Sequence, residues 1–164
     1  MCEGFLVRDT SFAIRPARDA DRLPLAVLFA AVAEERTGIG AEPPVDVDAR
    51  AAGWKLDGAL VAVADDEVVG WLDVGQTSFG FGELGMAVDR EWRRLGVGSA
   101  LLAAAIEWAR ERGLHKLSLT VFAQNAAAIA LYDKFGFVEE GRRVKHFRRA
   151  NGELWDGLEM GLLL

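Results

Sequence analysis

The sequence lacks the residues from which disulfides and metal centres are usually built. Its 164 residues include one cysteine, Cys2, so no internal disulfide can form. The two histidines, His115 and His146, make no metal-ligand pattern without a cysteine cluster, and we expect no bound metal. Chains without disulfides are usual in a reducing compartment, which predicts a cytoplasmic protein.

Long apolar runs and an excess of positive charge are also missing. The longest apolar stretch near the start, residues 23–33, contains Pro24 and is well short of the roughly 20 residues that span a membrane. The first four residues carry none of the basic charge that a signal peptide would have. The formal net charge of −6 argues against general nucleic-acid binding, which depends on a basic surface. We therefore expect neither a membrane nor a nucleic acid as partner.

What is present is typical of one globular domain. Apolar residues make up 51% of the chain and charged residues 27%, and the length fits a single domain over residues 1–164, with 1–10 as a mobile N-terminal extension. The element order β-α-α-β-β-β-α-β-α-β-β predicts an α/β or α+β sandwich around a mainly antiparallel sheet. The predicted strands are 12–16, 59–64, 67–74, 83–89, 116–122, 137–147 and 154–163, and the predicted helices are 19–35, 47–54, 99–112 and 125–134.

Two glycines, Gly96 and Gly98, stand between a predicted strand and a predicted helix, close to three arginines: Arg90, Arg93 and Arg94. Such a loop can bring backbone N–H groups to a helix N-terminus, where they bind phosphate. It can equally be a tight turn beside exposed arginines. The segment lacks the Gly-Lys-Ser/Thr of a Walker loop, and Leu101 stands where a dinucleotide fingerprint needs a third glycine or alanine. From these residues alone, both interpretations stay open.

Three segments together resemble the GCN5-related N-acetyltransferase (GNAT) family. Arg93-Arg-Leu-Gly-Val-Gly98 fills every specified position of the family's acetyl-CoA motif, Gln/Arg-x-x-Gly-x-Gly/Ala. Asn125-Ala-Ala-Ala-Ile-Ala-Leu-Tyr-Asp-Lys-Phe-Gly-Phe137 matches a second, more specific segment, and residues 14–21 are similar to the family's opening strand and helix start. The resemblance covers nearly the whole chain and is greatest to the bacterial group with ribosomal-protein and small-amine acetyltransferases. It implies a mixed, mainly antiparallel seven-stranded sheet flanked by about four helices.

The resemblance also implies an acetyl-CoA site, residue by residue. The loop before the helix would hold the pyrophosphate of CoA through its backbone N–H groups, and its residues are Arg93, Arg94, Leu95, Gly96, Val97, Gly98 and Ser99. The backbone of Met86, Ala87 and Val88 would pair with the pantetheine arm, where a bulge would separate this strand from residues 117–122. Asn125 would bond the same arm, and Tyr132 would lie near the sulfur.

The implied chemistry is the direct attack of an amine on the thioester in a ternary complex. The Val88 N–H would stabilise the developing oxyanion, and Tyr132 would protonate the departing sulfur. Glu83 is the best candidate for the base, directly or through water. Each residue has a plainer alternative: Glu83 as a solvated strand-end charge, Tyr132 as a core aromatic, and Asn125 as a helix cap.

We therefore expect an N-acetyltransferase that moves an acetyl group from acetyl-CoA to a primary amine of a small molecule, an amino acid or a protein N-terminus. One alternative is a catalytically inactive acyl-CoA-binding sensor or scaffold. A second is an RNA-associated protein that uses the basic run at residues 142–149, although an exposed hairpin explains that run more simply. Three tryptophans could line an acceptor pocket or belong to the core: Trp54, Trp71 and Trp155. The final strands could pair across a homodimer.

Overall fold

Seven strands form one mixed sheet in the computed structural model, which describes residues 10–164. The strands are β1 (Ala13–Pro16), β2 (Ala59–Ala64), β3 (Glu67–Gln76), β4 (Phe81–Val88), β5 (Lys116–Phe122), β6 (Val138–Arg148) and β7 (Leu154–Leu163). The helices are α1 (Arg22–Glu34), α2 (Val47–Ala52), α3 (Val97–Glu111) and α4 (Ala126–Lys134), with short 3-10 turns at Asp19–Asp21 and Arg90–Trp92. Cys2 and nearly all of the predicted N-terminal extension lie outside the described residues.

The strand order across the sheet is β1-β2-β3-β4-β5-β7-β6. Every neighbouring pair is antiparallel except β4 and β5, which run parallel. The predicted fold class is therefore confirmed, because the sheet has seven strands, is mainly antiparallel and is accompanied by four helices. One sheet joins all the described strands, and the single domain stays a prediction that this arrangement supports.

Apolar side chains cover both faces of the sheet. On one face, the stripe of α3 that includes Leu101, Leu102 and Ala105 packs with α4 against the central strands. On the other face, Leu25 and Leu28 of α1 form a second cluster that includes Val61 and several aromatic rings. The stripe on α3 was predicted from its spacing, and the structure confirms it. The sheet thus separates a face held by α3 and α4 from a face held by α1 and α2.

Local turn chemistry sets most element boundaries. Asp65 and Asp66 both have positive φ angles, 47° and 65°, which the two-residue hairpin between β2 and β3 requires. Gly113, with φ 70°, ends α3 as predicted. The first helix differs from its prediction, since α1 begins at Arg22 after the 3-10 turn. The buried carboxylate of Asp21 fixes that turn by accepting from the Arg18 N–H at 2.7 Å.

Among residues 10–164, no helix is both long enough and apolar enough to cross a membrane.

Candidate active site

A gap opens in the sheet between β4 and β5. The parallel pairing covers only three positions and ends at Glu83 and Ser118, although both strands continue well beyond that point. The resemblance implied a bulge in β4 at this place, but no bulge interrupts the pairing of β4 with β3. β4 keeps an unbroken register with β3 from Gly82 to Val88, and β5 pairs with β7 over its whole length. The strands therefore separate because each follows its outer neighbour.

The gap leads into a cavity of about 1430 Å³. Its walls come from β4, the loop before α3, β5, α4 and the segment 37–41 that follows α1. Most of the predicted site residues line it: Met86, Ala87, Val88, Arg93, Arg94, Gly96, Gly98, Ser99, Asn125 and Tyr132. Three predicted residues do not, namely Glu83, Leu95 and Val97. The fold thus gathers two segments that are far apart in the sequence around one cleft.

The N-terminus of α3 presents unpaired backbone donors at one end of the cavity. Positive φ angles at Arg94 and Gly96, 64° and 87°, turn the chain into the helix. The first intrahelical bond runs from the Ala100 N–H to the Gly96 carbonyl at 3.0 Å, and no side chain caps the helix. The N–H groups of residues 97–99 therefore have no acceptor within the helix, and such a terminus favours an anion.

The remaining loop residues contribute differently from one another. Val97 is buried in the core and can serve a ligand only through its backbone, whereas Leu95 is 41% exposed and does not line the cavity. The guanidinium of Arg93 is already engaged. It donates to the Val88 carbonyl at 2.9 Å and forms a two-bond pair with Glu35 at 2.7 and 2.8 Å. Arg93 therefore joins the end of α1 to β4.

Alternate backbone groups of β4 face the gap. The Asp89 N–H donates to the Val69 carbonyl at 2.9 Å. Because backbone direction alternates along a strand, Asp89, Ala87 and Gly85 direct their N–H and C=O groups toward β3. Met86 and Val88 direct their N–H and C=O groups toward the gap between β4 and β5. The Val88 carbonyl is occupied by Arg93, whereas the N–H groups of Met86 and Val88 face the gap. An extended ligand arm can pair with this edge as an additional strand would.

Tyr132 and Asn125 line the cavity from α4 and its N-terminus. Tyr132 is 6% exposed, and burial raises the pKa of its phenol to about 12. Its ring packs against Phe137 at 5.6 Å between centroids, and its hydroxyl makes no hydrogen bond within residues 10–164. Asn125 caps α4, because its Oδ1 accepts from the Ala128 N–H at 3.3 Å. Capping leaves the amide nitrogen of Asn125 available to a ligand.

The comparisons with known proteins agree with this geometry. The family model described as the acetyltransferase (GNAT) family matches residues 27–137, which is more than half of the chain. The chain belongs to the GNAT acetyltransferase family.

Individual relatives show the same relationship. The L-amino acid N-acetyltransferase AaaT of Escherichia coli K12 is 41% identical over 109 residues, which cover 62% of this chain and 65% of that protein. The match thus spans less than two thirds of that relative. A ribosomal-protein-alanine N-acetyltransferase from Brucella melitensis superposes with a TM-score of 0.83 at 33% identity over 93% of this chain and 99% of that one. The yncA protein of Salmonella typhimurium, solved with its cofactor acetyl-CoA, shares the fold, with a TM-score of 0.84 at 24% identity over 93% of this chain and 94% of that chain.

The predicted base, Glu83, lies apart from this GNAT cleft. It is exposed at the point where the β4–β5 pairing ends, and it does not line the cavity. Its role as base stays a prediction that its position does not favour. Asp73 is a carboxylate that sequence reasoning missed. It pairs with Gly85 across β3 and β4, and burial raises its pKa, although Arg50 acts in the opposite direction.

Part of the basic run at residues 142–149 is neutralised by ion pairs. Arg142 pairs with Asp156 at 2.7 Å, and Arg143 pairs with Glu159. These carboxylates reduce the free positive charge that RNA binding would need.

Arg149, within this run, is not part of an exposed surface. Its side chain is 3% exposed, and its guanidinium carbon lies 5.0 Å from the Phe122 ring and 4.6 Å from the Trp155 ring. It donates to the carbonyls of Arg36 and Gly40 at 3.0 Å each. Exposure was the expectation for the whole run, and it is wrong for Arg149. This residue holds the segment 37–41 against the GNAT cleft.

Replacing Arg149 by methionine is expected to lower the free energy of unfolding by about 1–3 kcal/mol, because two carbonyls would lose a charged donor. The looser segment 37–41 should also raise KM for the acceptor more than KM for acetyl-CoA. Urea unfolding and two-substrate kinetics measure both effects. Arg148→Met is the matched control, since Arg148 is the exposed neighbour of Arg149 and makes no such contacts. Equal unfolding midpoints for the two variants would contradict the role given to Arg149.

Within residues 10–164, no three His, Cys, Asp or Glu side chains lie close enough together to hold a metal ion. The expectation of a metal-free enzyme stays a prediction.

Proposed function

We propose that this protein transfers the acetyl group of acetyl-CoA to a primary amine. The observation that carries the proposal is the open gap between β4 and β5, with the unpaired N–H groups of α3 at one end and Tyr132 in its wall. The family is one of acetyltransferases, and relatives are named for L-amino acids and for ribosomal-protein alanine as acceptors. Both acceptors are amines.

The residues present fit acetyl-CoA. The N-terminus of α3 suits the pyrophosphate, because free N–H groups and the helix dipole both favour an anion. The open edge of β4 suits the amide-bearing pantetheine arm, since amide groups can pair with the N–H groups of Met86 and Val88. The cavity of about 1430 Å³ is larger than the 300–1,000 Å³ typical of sites for small ligands, so it has room for two substrates.

When bound, acetyl-CoA supplies a thioester whose carbonyl carbon accepts the amine's electron pair and whose carbon–sulfur bond breaks. The Val88 N–H would donate to the oxygen that becomes negative during attack, and it needs no rearrangement to do so. The Tyr132 hydroxyl would hydrogen-bond to the departing sulfur and stabilise the negative charge that develops on it, so that CoA leaves as a thiolate. The proton lost by the amine passes to a carboxylate or to solvent. Holding both reactants in one cleft supplies much of the remaining acceleration.

The direct test mixes the protein with acetyl-CoA and a panel of primary amines and follows the release of free thiol. Mass spectrometry of each amine should show a gain of one acetyl group, and a reaction without amine corrects for hydrolysis. We expect thiol release that depends on the amine.

A sensor or scaffold makes the opposite prediction, namely tight acetyl-CoA binding without acetylation of any amine. The retained hydroxyl at Tyr132 disfavours that alternative. Association with RNA is disfavoured by the ion pairs of Arg142 and Arg143, and we expect the protein to leave the electrophoretic mobility of RNA unchanged.

A further inference from the structure

A charged and aromatic cluster borders the cavity on the α1–α2 face of the sheet. We call it the acceptor cluster, and it consists of Phe29, Arg50, Trp54, Trp71 and Asp73. Phe29 and Trp71 line the cavity, and the other three members lie behind these two rings without lining it. The three aromatic rings pack with centroid separations of 5.4–6.1 Å. No motif of the family resemblance includes these residues.

The guanidinium of Arg50 is held in place without an anion. Its central carbon lies 4.2 Å from the Phe29 ring centroid and 4.4 Å from that of Trp54, so two rings flank it. Within residues 10–164, Arg50 has no ion pair within 4.0 Å and donates no hydrogen bond to protein. Arginine side chains commonly pair with a carboxylate or phosphate, to which the planar guanidinium donates two hydrogen bonds. Here the rings fix the guanidinium and leave its donors without protein acceptors.

Unpaired donors are concentrated at this cluster. Four buried side-chain nitrogens lack a hydrogen-bond partner within residues 10–164, and three of them belong to the acceptor cluster: Arg50 Nε, Trp54 Nε1 and Trp71 Nε1. Buried polar groups are rarely left unpaired in native proteins, and each exception calls for an explanation. All three are donors, so the missing partner is an acceptor. A carboxylate is acceptor-only and can take several such bonds.

Asp73 supplies the opposite charge behind the β4 wall of the cleft. It faces Gly85 across the strand pair, and its Oδ1 lies 3.4 Å from where a side chain at Gly85 would begin. Gly85 lines the cavity, and because it has no side chain, no side chain at this position separates the carboxylate from the cleft. Arg50 is near enough to lower the pKa of Asp73, yet the two charges are not in contact. A cation and an anion separated in this way can each bind one end of a zwitterion.

We propose that the acceptor cluster binds the acceptor as a free amino acid, with Arg50 holding its carboxylate and Asp73 its amino group. The inference rests on the proposed function and narrows it, because a peptide N-terminus or a simple amine has no carboxylate on the adjacent carbon. The flanking rings favour amino acids with apolar or aromatic side chains. The raised pKa of Asp73 also suits a carboxylate that receives the proton which the amine loses.

The test compares each free amino acid with its own carboxamide, using L-leucine, L-methionine and L-phenylalanine with acetyl-CoA. The amine of a carboxamide is less basic and is deprotonated to a greater extent at neutral pH, so intrinsic reactivity favours the amide. We expect kcat/KM to be about 10- to 100-fold higher for the acid, which corresponds to a charged hydrogen bond. Arg50→Met should abolish this preference, and Arg50→Lys should keep part of it. Asp73→Asn should lower turnover of both members of each pair by about 10-fold or more.

Arg112→Met is the matched control, because Arg112 also stacks on a ring, 4.8 Å from the Trp108 centroid, but it already pairs with Asp57 at 2.9 Å and lies at the C-terminal end of α3. It should keep the full preference for the acid. Equal kcat/KM for acid and amide in the unmodified protein would overturn this inference and leave the acetyltransferase proposal standing. Failure to acetylate any amine would instead overturn the proposed function, and this inference with it.

Discussion

Replacing Tyr132 by phenylalanine is expected to lower kcat by about 100- to 1,000-fold, with little change in KM for acetyl-CoA. The estimate corresponds to the loss of one preorganised hydrogen-bond donor to charge that develops in the transition state. The ring, its packing against Phe137 and its place in the cavity wall all remain in this variant. The hydroxyl therefore is the one group that the substitution removes, and initial-rate kinetics with both substrates measure the effect.

The pKa of Tyr132 determines how this hydroxyl acts. At about 12, the phenol is protonated throughout the range of ordinary assays, so it is always a donor. Complete proton transfer to a thiolate is uphill, because ordinary thiols have pKa values near 8.5. Most of the benefit then comes from the hydrogen bond to the developing negative sulfur. We expect the pH–rate profile between pH 7 and 9 to show no loss of activity from ionisation of Tyr132.

Stability separates the chemical role of Tyr132 from a structural one. The hydroxyl has no partner within residues 10–164, so its removal leaves no protein group unsatisfied. Tyr132→Phe should therefore unfold at the same urea concentration as the unmodified protein, within about 0.5 kcal/mol. Full turnover in this variant would show that the tyrosine is only a core aromatic. Loss of turnover together with a lower unfolding midpoint would show a packing role.

The fold could be predicted largely because its signals are local. The strands at 116–122 and 154–163 have the predicted bounds, since each is a run of strand-forming residues that begins after a turn. The face of α3 follows from the spacing of Leu101, Leu102 and Ala105. The start of β4 at Phe81 was missed by two residues, because it depends on pairing with β5 rather than on its own composition.

The candidate site could likewise be predicted only where its signals are local in the sequence. Its glycine loop and α4 segment are contiguous motifs, and their residues line one cavity as the resemblance implied. Arg149 could not be recognised, because the carbonyl of Gly40 that it binds lies 109 positions earlier in the chain. Arg50 and Asp73 carry no local signal either, since a charged residue on a short helix or strand usually faces solvent. Tertiary contacts alone decide which of these charges is buried.

Gly96→Asp is expected to raise KM for acetyl-CoA by about 30- to 150-fold relative to Gly96→Asn. Gly96 has φ 87°, and a side chain added there would meet no atom within 4 Å. Asparagine and aspartate both tolerate this backbone conformation better than other residues, and they have the same shape. The two variants therefore differ in one negative charge at the N-terminus of α3. Unit charges about 4 Å apart repel by roughly 4 kcal/mol near a protein surface, and we take about 2–3 kcal/mol because this loop is exposed.

Folding and binding should respond to that charge in opposite directions. A carboxylate at a helix N-terminus is favourable for the helix, so Gly96→Asp should unfold at an equal or higher urea concentration than Gly96→Asn. Gly113, with φ 70° and no atom within 4 Å of an added side chain, allows the same pair of substitutions at the other end of α3. There the aspartate should leave KM for acetyl-CoA unchanged. If aspartate and asparagine at position 96 gave the same KM, the N-terminus of α3 would not be the pyrophosphate site. A charge that stabilises the helix while weakening the binding of acetyl-CoA would show that an anionic ligand competes for the same N–H groups.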